Sequence, residues 1–179
     1  MNFLAFSGSL RNASLNSAVV RTAARLCPPG AALEVYEGIG SLPFFNQDVE
    51  STQPPAEVLD FRARLAAADA VLIASPEYAH GTSGVLKNAL EWVVGGGELV
   101  DKPVAVVTAS PSMTGGDRAQ AWVKETLEVM GARILPESLP IACAGPKISD
   151  GRVTDETTLT ELREVIAAMA RAAKARQDA

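Results

Sequence analysis

Ser7-Gly8-Ser9-Leu10-Arg11-Asn12-Ala13-Ser14-Leu15-Asn16 lies between an apolar run at residues 3–6 and a segment where Leu15, Val19, Ala23 and Leu26 recur at helical spacing. A polar turn joining a first strand to a first helix is where an α/β protein holds a phosphate. The N–H groups of a helix start have no intrahelical partner, and the helix dipole favours an anion there. Ser9, Ser14 and Asn16 add side-chain donors, and Arg11 adds a fixed charge with planar donor geometry. The stretch points to a phosphorylated cofactor bound after the first strand.

Outward from this turn the pattern repeats. Further apolar runs stand at residues 71–74, 104–108 and, more weakly, 139–143. They are near-continuous rather than alternating, as parallel strands covered on both faces require. A shorter run at residues 33–36 suits a strand nearer an edge. Between them fall helical sets: Val58, Phe61, Leu65 and Ala68; Val85, Ala89 and Trp92; Ala119, Val123, Leu127 and Met130; Leu159, Leu162, Ile166 and Met169. Each set marks one face of a helix. Strand and helix alternate five times, which predicts an α/β fold: a doubly wound five-stranded parallel sheet with helices on both faces. The expected organisation is a single domain over residues 1–179, with long surface loops at residues 38–55 and 95–103.

Composition sets the outer limits. At 179 residues the chain is long enough for one full-sized core. Sixteen basic against 21 acidic residues give a net charge of −5, and no Lys/Arg stripe is interleaved with aromatics, so nucleic acid is not the expected partner. No run approaches the roughly 20 apolar residues of a membrane span, and a cytoplasmic protein is expected. Cys27 and Cys143 stand far apart with no CxxC and read as structural thiols. Acidic residues form no cluster with metal-ligand spacing, and no metal is implied.

In a doubly wound sheet, ligands bind outside the carboxyl ends of the strands. Three loops emerge there: residues 7–16, then 75–84, then 110–116. All are rich in small residues, which let backbone approach a flat ligand closely. The first loop is neither GxGxxG nor GxxxxGK[ST], and it has no cysteine for a thiolate phosphatase. It reads as a loop that binds a phosphate without performing chemistry on it. His80 is the only histidine of the chain; a structural or surface role is expected for it.

Gly8-Ser9-Leu10-Arg11, followed by Ser14 and Asn16, resembles the GSxRxxSxN loop of the NAD(P)H-dependent FMN reductases, a family with a flavodoxin-like fold. Pro76-Glu77-Tyr78 followed by Gly84-Val85-Leu86-Lys87-Asn88-Ala89-Leu90-Glu91-Trp92 is similar to that family's PEYxxxxPGxLKNAxDW segment. The resemblance runs from Met1 to about Ala170. It implies FMN as cofactor, with Ser9, Arg11, Ser14, Leu15 and Asn16 around its phosphate and Pro76, Glu77, Tyr78 and Ala79 along the flavin ring. Ser110, Gly115 and Gly116 would flank the other side of the ring. Two positions depart from the family pattern. Ala79 stands where many members carry Asn, so one side-chain contact is lost; Ser83 replaces the Pro before Gly84 and supplies a helix cap instead.

The function so implied is an FMN-dependent oxidoreductase that takes a hydride from NADPH or NADH and passes electrons to a small acceptor. Quinones, free flavin, azo compounds and metal oxyanions are the acceptors known in the family. No protein base is needed, because the isoalloxazine does the chemistry. The family also implies a homodimer or homotetramer in which the helix carrying Lys87, Asn88 and Glu91 meets a second subunit. The alternative is a flavodoxin-like electron carrier that does not oxidise NAD(P)H; the absence of a concentrated acidic run disfavours it.

Overall fold

The computed structural model describes residues 1–178; Ala179, the last residue of the expected domain, lies outside them. The chain runs β1 (Asn2–Ser7), α1 (Leu15–Arg25), β2 (Ala32–Tyr36), α2 (Gln47–Thr52), α3 (Ala56–Ala67), β3 (Ala70–Ser75), α4 (Gly84–Val94), β4 (Pro103–Ala109), α5 (Asp117–Val129), β5 (Arg133–Ile134), β6 (Leu139–Ile141), β7 (Ile148–Ser149), β8 (Arg152–Val153) and α6 (Glu156–Gln177). The main sheet is parallel, in the order β2-β1-β3-β4-β5, with β6 also pairing to β4. This is the flavodoxin-like strand order.

Alternation along each strand divides the core into two layers. From β1, Leu4 and Phe6 face the layer of α3, α4 and α5, joined there by Phe61, Ile73, Leu90, Trp92 and Val106. Phe3 and Ala5 face the opposite layer of α1 and α6, with Val19, Leu72, Val107, Ile166 and Met169. Each buried Val, Leu, Ile, Phe or Met side chain contributes about 1.5–3 kcal/mol by leaving water. β1, β3 and β4 are buried almost throughout, whereas β2 alternates towards solvent as an edge strand does.

The structure departs from the sequence reading in five places. The fourth apolar run is strand only over Leu139–Ile141, and Arg133–Ile134 precedes it on the same ladder. Where the chain leaves that ladder, the Ser138 hydroxyl accepts from Val106 N (3.3 Å) and donates to Leu135 O (3.0 Å). The loop at residues 38–55 contains a 3-10 turn (Gly38–Ser41) and α2, which buries none of its residues and so shows no apolar period. Asn88 is buried rather than free for a second subunit. Its carboxamide accepts from Phe45 N (2.8 Å) and donates to Pro43 O (2.9 Å), a carbonyl that Trp92 Nε1 also reaches (2.8 Å). Finally, β7 and β8 form a hairpin whose Asp150-Gly151 turn has both φ values positive (49° and 69°). Cys143 is exposed, so its thiol does not serve core packing.

Candidate cofactor-binding site

The first loop is built around the start of α1. Ser14 is the N-cap, its Oγ accepting from Ser17 N at 3.1 Å, and the first helical bond runs from Ala18 N to Ser14 O (3.0 Å). Leu15 N and Asn16 N are left without a hydrogen bond among the described residues, as the first N–H groups of a helix are. The Arg11 guanidinium makes no ion pair or hydrogen bond among the described residues. Asn16 differs from the sequence expectation. Its carboxamide is spent on Ala109, with Nδ2 donating to the carbonyl (3.0 Å) and Oδ1 accepting from the N–H (2.9 Å). Asn16 therefore offers the cleft its backbone N–H and positions the loop with its side chain.

The second loop leaves β3 and is locked at both ends. Ser75 Oγ meets Thr82 Oγ1 at 2.8 Å, and Tyr78 and Gly81 exchange two backbone bonds (3.0 and 2.9 Å). The two residues between them, Ala79 and His80, are both left-handed (φ 49° and 62°). This is a tight turn in which Asn or Gly is the unstrained choice. An Asn at position 79 is thus favoured by the backbone alone. Ser83 does cap α4, accepting from Leu86 N (3.2 Å) and donating to Gly8 O (2.6 Å). Glu77 reaches the third loop: Oε2 accepts from Ala119 N (3.1 Å) in the first turn of α5, where the Gly116 N-cap has no side chain to do so. A carboxylate at a helix start also suits the dipole. His80 is exposed, its Nδ1 3.5 Å from Glu77 Oε1, and it touches no other site residue in that way.

One cleft gathers nine of the twelve expected residues: Ser9, Arg11, Ser14, Leu15, Asn16, Pro76, Glu77, Tyr78 and Ser110, with Ala109 and Pro111 completing the wall. Ala79, Gly115 and Gly116 lie outside it. Both glycines are closely packed. Gly115 (φ 68°) lies so close to the end of β6 that a Cβ would stand 2.8 Å from Ala142 N, and Gly116 (φ 85°) sits between Thr108 and Glu77. Next to Gly116 the buried Thr108 Oγ1 has no hydrogen-bond partner among the described residues. Ala109 and Pro111 carry no signal in the sequence: an alanine ending a strand shows only strand propensity, and the proline reads only as a turn.

The donor set fits a flavin mononucleotide. Two helix N–H groups free among the described residues, the Ser9 and Ser14 hydroxyls and an unpaired guanidinium gather in the first loop, as a phosphate dianion demands. Pro76, Glu77, half-exposed Tyr78 and Ser110 line the rest of the cleft.

Strand order defines a flavodoxin-like protein, with the donor-rich cleft at the carboxyl edge of its sheet. The model of the NADPH-dependent FMN reductase family matches residues 1–145, and the chain belongs to that family of oxidoreductases. It is 35% identical over 170 residues to an NAD(P)H-dependent FMN reductase of Pseudomonas aeruginosa, covering 93% of this chain and 91% of the relative. It is 36% identical over 155 residues to a quinone reductase of Pseudomonas putida, with 84% and 83% covered. Among solved structures, the flavoenzyme NAD(P)H:(acceptor) oxidoreductase FerB of Paracoccus denitrificans superposes with a TM-score of 0.83 at 32% identity, covering 97% of both chains. FMN and NAD(P)H are the cofactors of this family.

Proposed function

We propose that the chain is one FMN-binding domain over residues 1–179. It passes a hydride from NAD(P)H through FMN to a small acceptor such as a quinone, flavin, azo compound or metal oxyanion, and it acts in the cytoplasm. The observation that carries this reading is the cleft itself: Leu15, Asn16 and Arg11, whose two N–H groups and guanidinium are unpaired among the described residues, line it together with Pro76, Glu77, Tyr78 and Ser110. FMN held there would supply the two-electron redox chemistry between the nicotinamide and the acceptor.

The chain's own residues bind and orient. Ser9, Arg11, Ser14 and the Leu15–Asn16 amides hold the phosphate, and Pro76 to Tyr78 with Ser110 seat the ring and leave one face reachable. Glu77 keeps the second and third loops at a fixed separation through Ala119. The two free cysteines accord with a reducing compartment.

We assign the chain to a homodimer or homotetramer on a second observation. Val94, Val100, Trp122, Val129 and Met130 line an open apolar groove, and Trp122 and Val129 are 59% and 87% exposed. Clustered apolar exposure of this kind marks an interaction surface.

The test is an absorption spectrum with added FMN followed by anaerobic NADPH titration. Bound flavin that bleaches promptly supports the reductase; bound flavin that NADPH cannot reduce indicates the electron carrier. Arg11→Ala is expected to weaken FMN at least about tenfold while leaving the fold intact. Unchanged flavin occupancy in that variant would overturn the phosphate assignment.

A further inference from the structure

On the far side of the Ser9–Arg11 turn a second cavity opens, with a volume of about 340 Å³. It is walled by the first loop, by Ser17, Val20 and Arg21 of α1, and by Val35, Tyr36 and Glu37 where β2 ends. Nothing in the flavin reading uses it. Only Ser9 and Arg11 line both this cavity and the cofactor cleft, so the two spaces meet at the phosphate-binding turn.

Its chemistry is mixed in an ordered way. Arg11 and Arg21 bring two guanidinium groups, and neither has a carboxylate within ion-pair reach or a hydrogen bond among the described residues. Ser7 is 7% exposed; its Oγ accepts from Ser9 N (3.3 Å) and lies 3.1 Å from Ser17 Oγ. The exposed Glu37 stands at the carboxyl end of β2, and Val20, Val35 and Ile39 provide apolar wall. Two unpaired guanidiniums ask for a phosphate. A carboxylate at the end of the second strand accepts from sugar hydroxyls, and apolar wall suits a flat base. The volume lies near the lower end of the roughly 300–1,000 Å³ usual for small-molecule sites.

We propose that this cavity is an adenosine-phosphate subsite, with Arg11 and Arg21 on the phosphate, Glu37 on the ribose and the Val20–Val35–Ile39 wall against the base. The placement gives the β7–β8 hairpin a purpose. Thr22 Oγ1 accepts from Val153 N (3.0 Å), pinning the hairpin to α1, and a Cβ on Gly151 would lie 3.6 Å from the Arg21 guanidinium. The hairpin tip thus limits where Arg21 can swing. The proposal rests on the flavin phosphate lying in the first loop, from which a dinucleotide would continue past Arg11.

Two ligands carry this chemistry, and binding separates them. Flavin-free protein is titrated with FMN and with FAD; FMN-saturated and flavin-free protein are each titrated calorimetrically with adenosine 2′,5′-bisphosphate. Arg21→Ala is expected to weaken one of the adenosine probes about tenfold while FMN affinity stays unchanged. The exposed Glu37→Ala serves as a second variant, expected to weaken the same probe. An Arg21-dependent preference for FAD over FMN identifies the flavin dinucleotide; Arg21-dependent bisphosphate binding to FMN-loaded protein identifies the 2′-phosphate of NADPH. If neither adenosine probe senses Arg21 or Glu37, the subsite is overturned. Loss of FMN binding in the wild type would instead overturn the flavin reading, and the bisphosphate titration on flavin-free protein would still decide this one.

Discussion

The Asn16 carboxamide and the Ala109 backbone satisfy one another completely: one hydrogen bond runs in each direction, at 3.0 and 2.9 Å, across the carboxyl edge of the sheet. Both residues are buried. The start of α1 is thereby tied to the end of β4, and the first loop is tied to the third. Asn16→Ala leaves two backbone groups buried without partners and should destabilise the fold by about 3 kcal/mol. It should also loosen FMN, because the free N–H groups of α1 lose their anchor. Chemical denaturation of the flavin-free protein reads the first effect. A loss of FMN affinity with unaltered stability would mean that the side chain acts on the ligand directly.

Ala79 occupies a left-handed conformation, φ 49°, in which a Cβ crowds the following carbonyl. Ala79→Gly should therefore stabilise the protein by about 1 kcal/mol. Ala79 lies outside the cofactor cleft, so FMN affinity should not change. A melting temperature that fails to rise would show that the turn relaxes by another route.

Lys102 is 2% exposed, and its Nζ donates to the carbonyls of Leu65 and Ala66 at the end of α3. Burial pulls its pKa down from 10.5 to about 8, with Arg176 acting in the same direction. The folded state loses this proton before the unfolded state does. The cost of burying the charge is thus fully present below pH 8, fades between pH 8 and 10.5, and is gone above. Relative to Lys102→Met, the wild type should gain stability across that window, by at most about 1.4 kcal/mol per pH unit. Denaturation of both proteins at several pH values checks this, and a flat difference would show that Lys102 does not titrate there.

Trp122 is 59% exposed at the centre of the apolar groove between α4 and α5. Trp122→Glu should shift the protein to a smaller species in light scattering, since a carboxylate cannot be desolvated there without a partner. An unchanged mass would move the interface elsewhere on the surface.

The strands and the long helices were legible because each writes its burial into its periodicity: β1, β3 and β4 as unbroken apolar runs, α1 and α4 as spaced ones. What escaped was held by polar side chains. α2 buries nothing, and the 38–55 segment is fixed by Asn88 and Trp92 from a distant helix, which no local pattern records. The β7–β8 hairpin did carry a local sign, Asp150-Gly151, the usual dipeptide of a two-residue turn. In the site, the residue types in the first two loops, Ala79 apart, fall together along one cleft. Their individual tasks depended on partners far along the chain: Ala109 for Asn16, and Ala119 for Glu77.

The Ser83 hydroxyl has one further consequence. It is shared between the carbonyl of Gly8 and the N–H of Leu86, so the anion-binding turn and α4 hang on the same atom. Gly8 N is in turn bonded to Ala74 O at 2.8 Å, inside the sheet. The turn is therefore held in shape by the scaffold before any ligand arrives. A ligand meeting it has little chain to order, which spares the conformational entropy that a mobile loop would cost and makes its arrival a single bimolecular step.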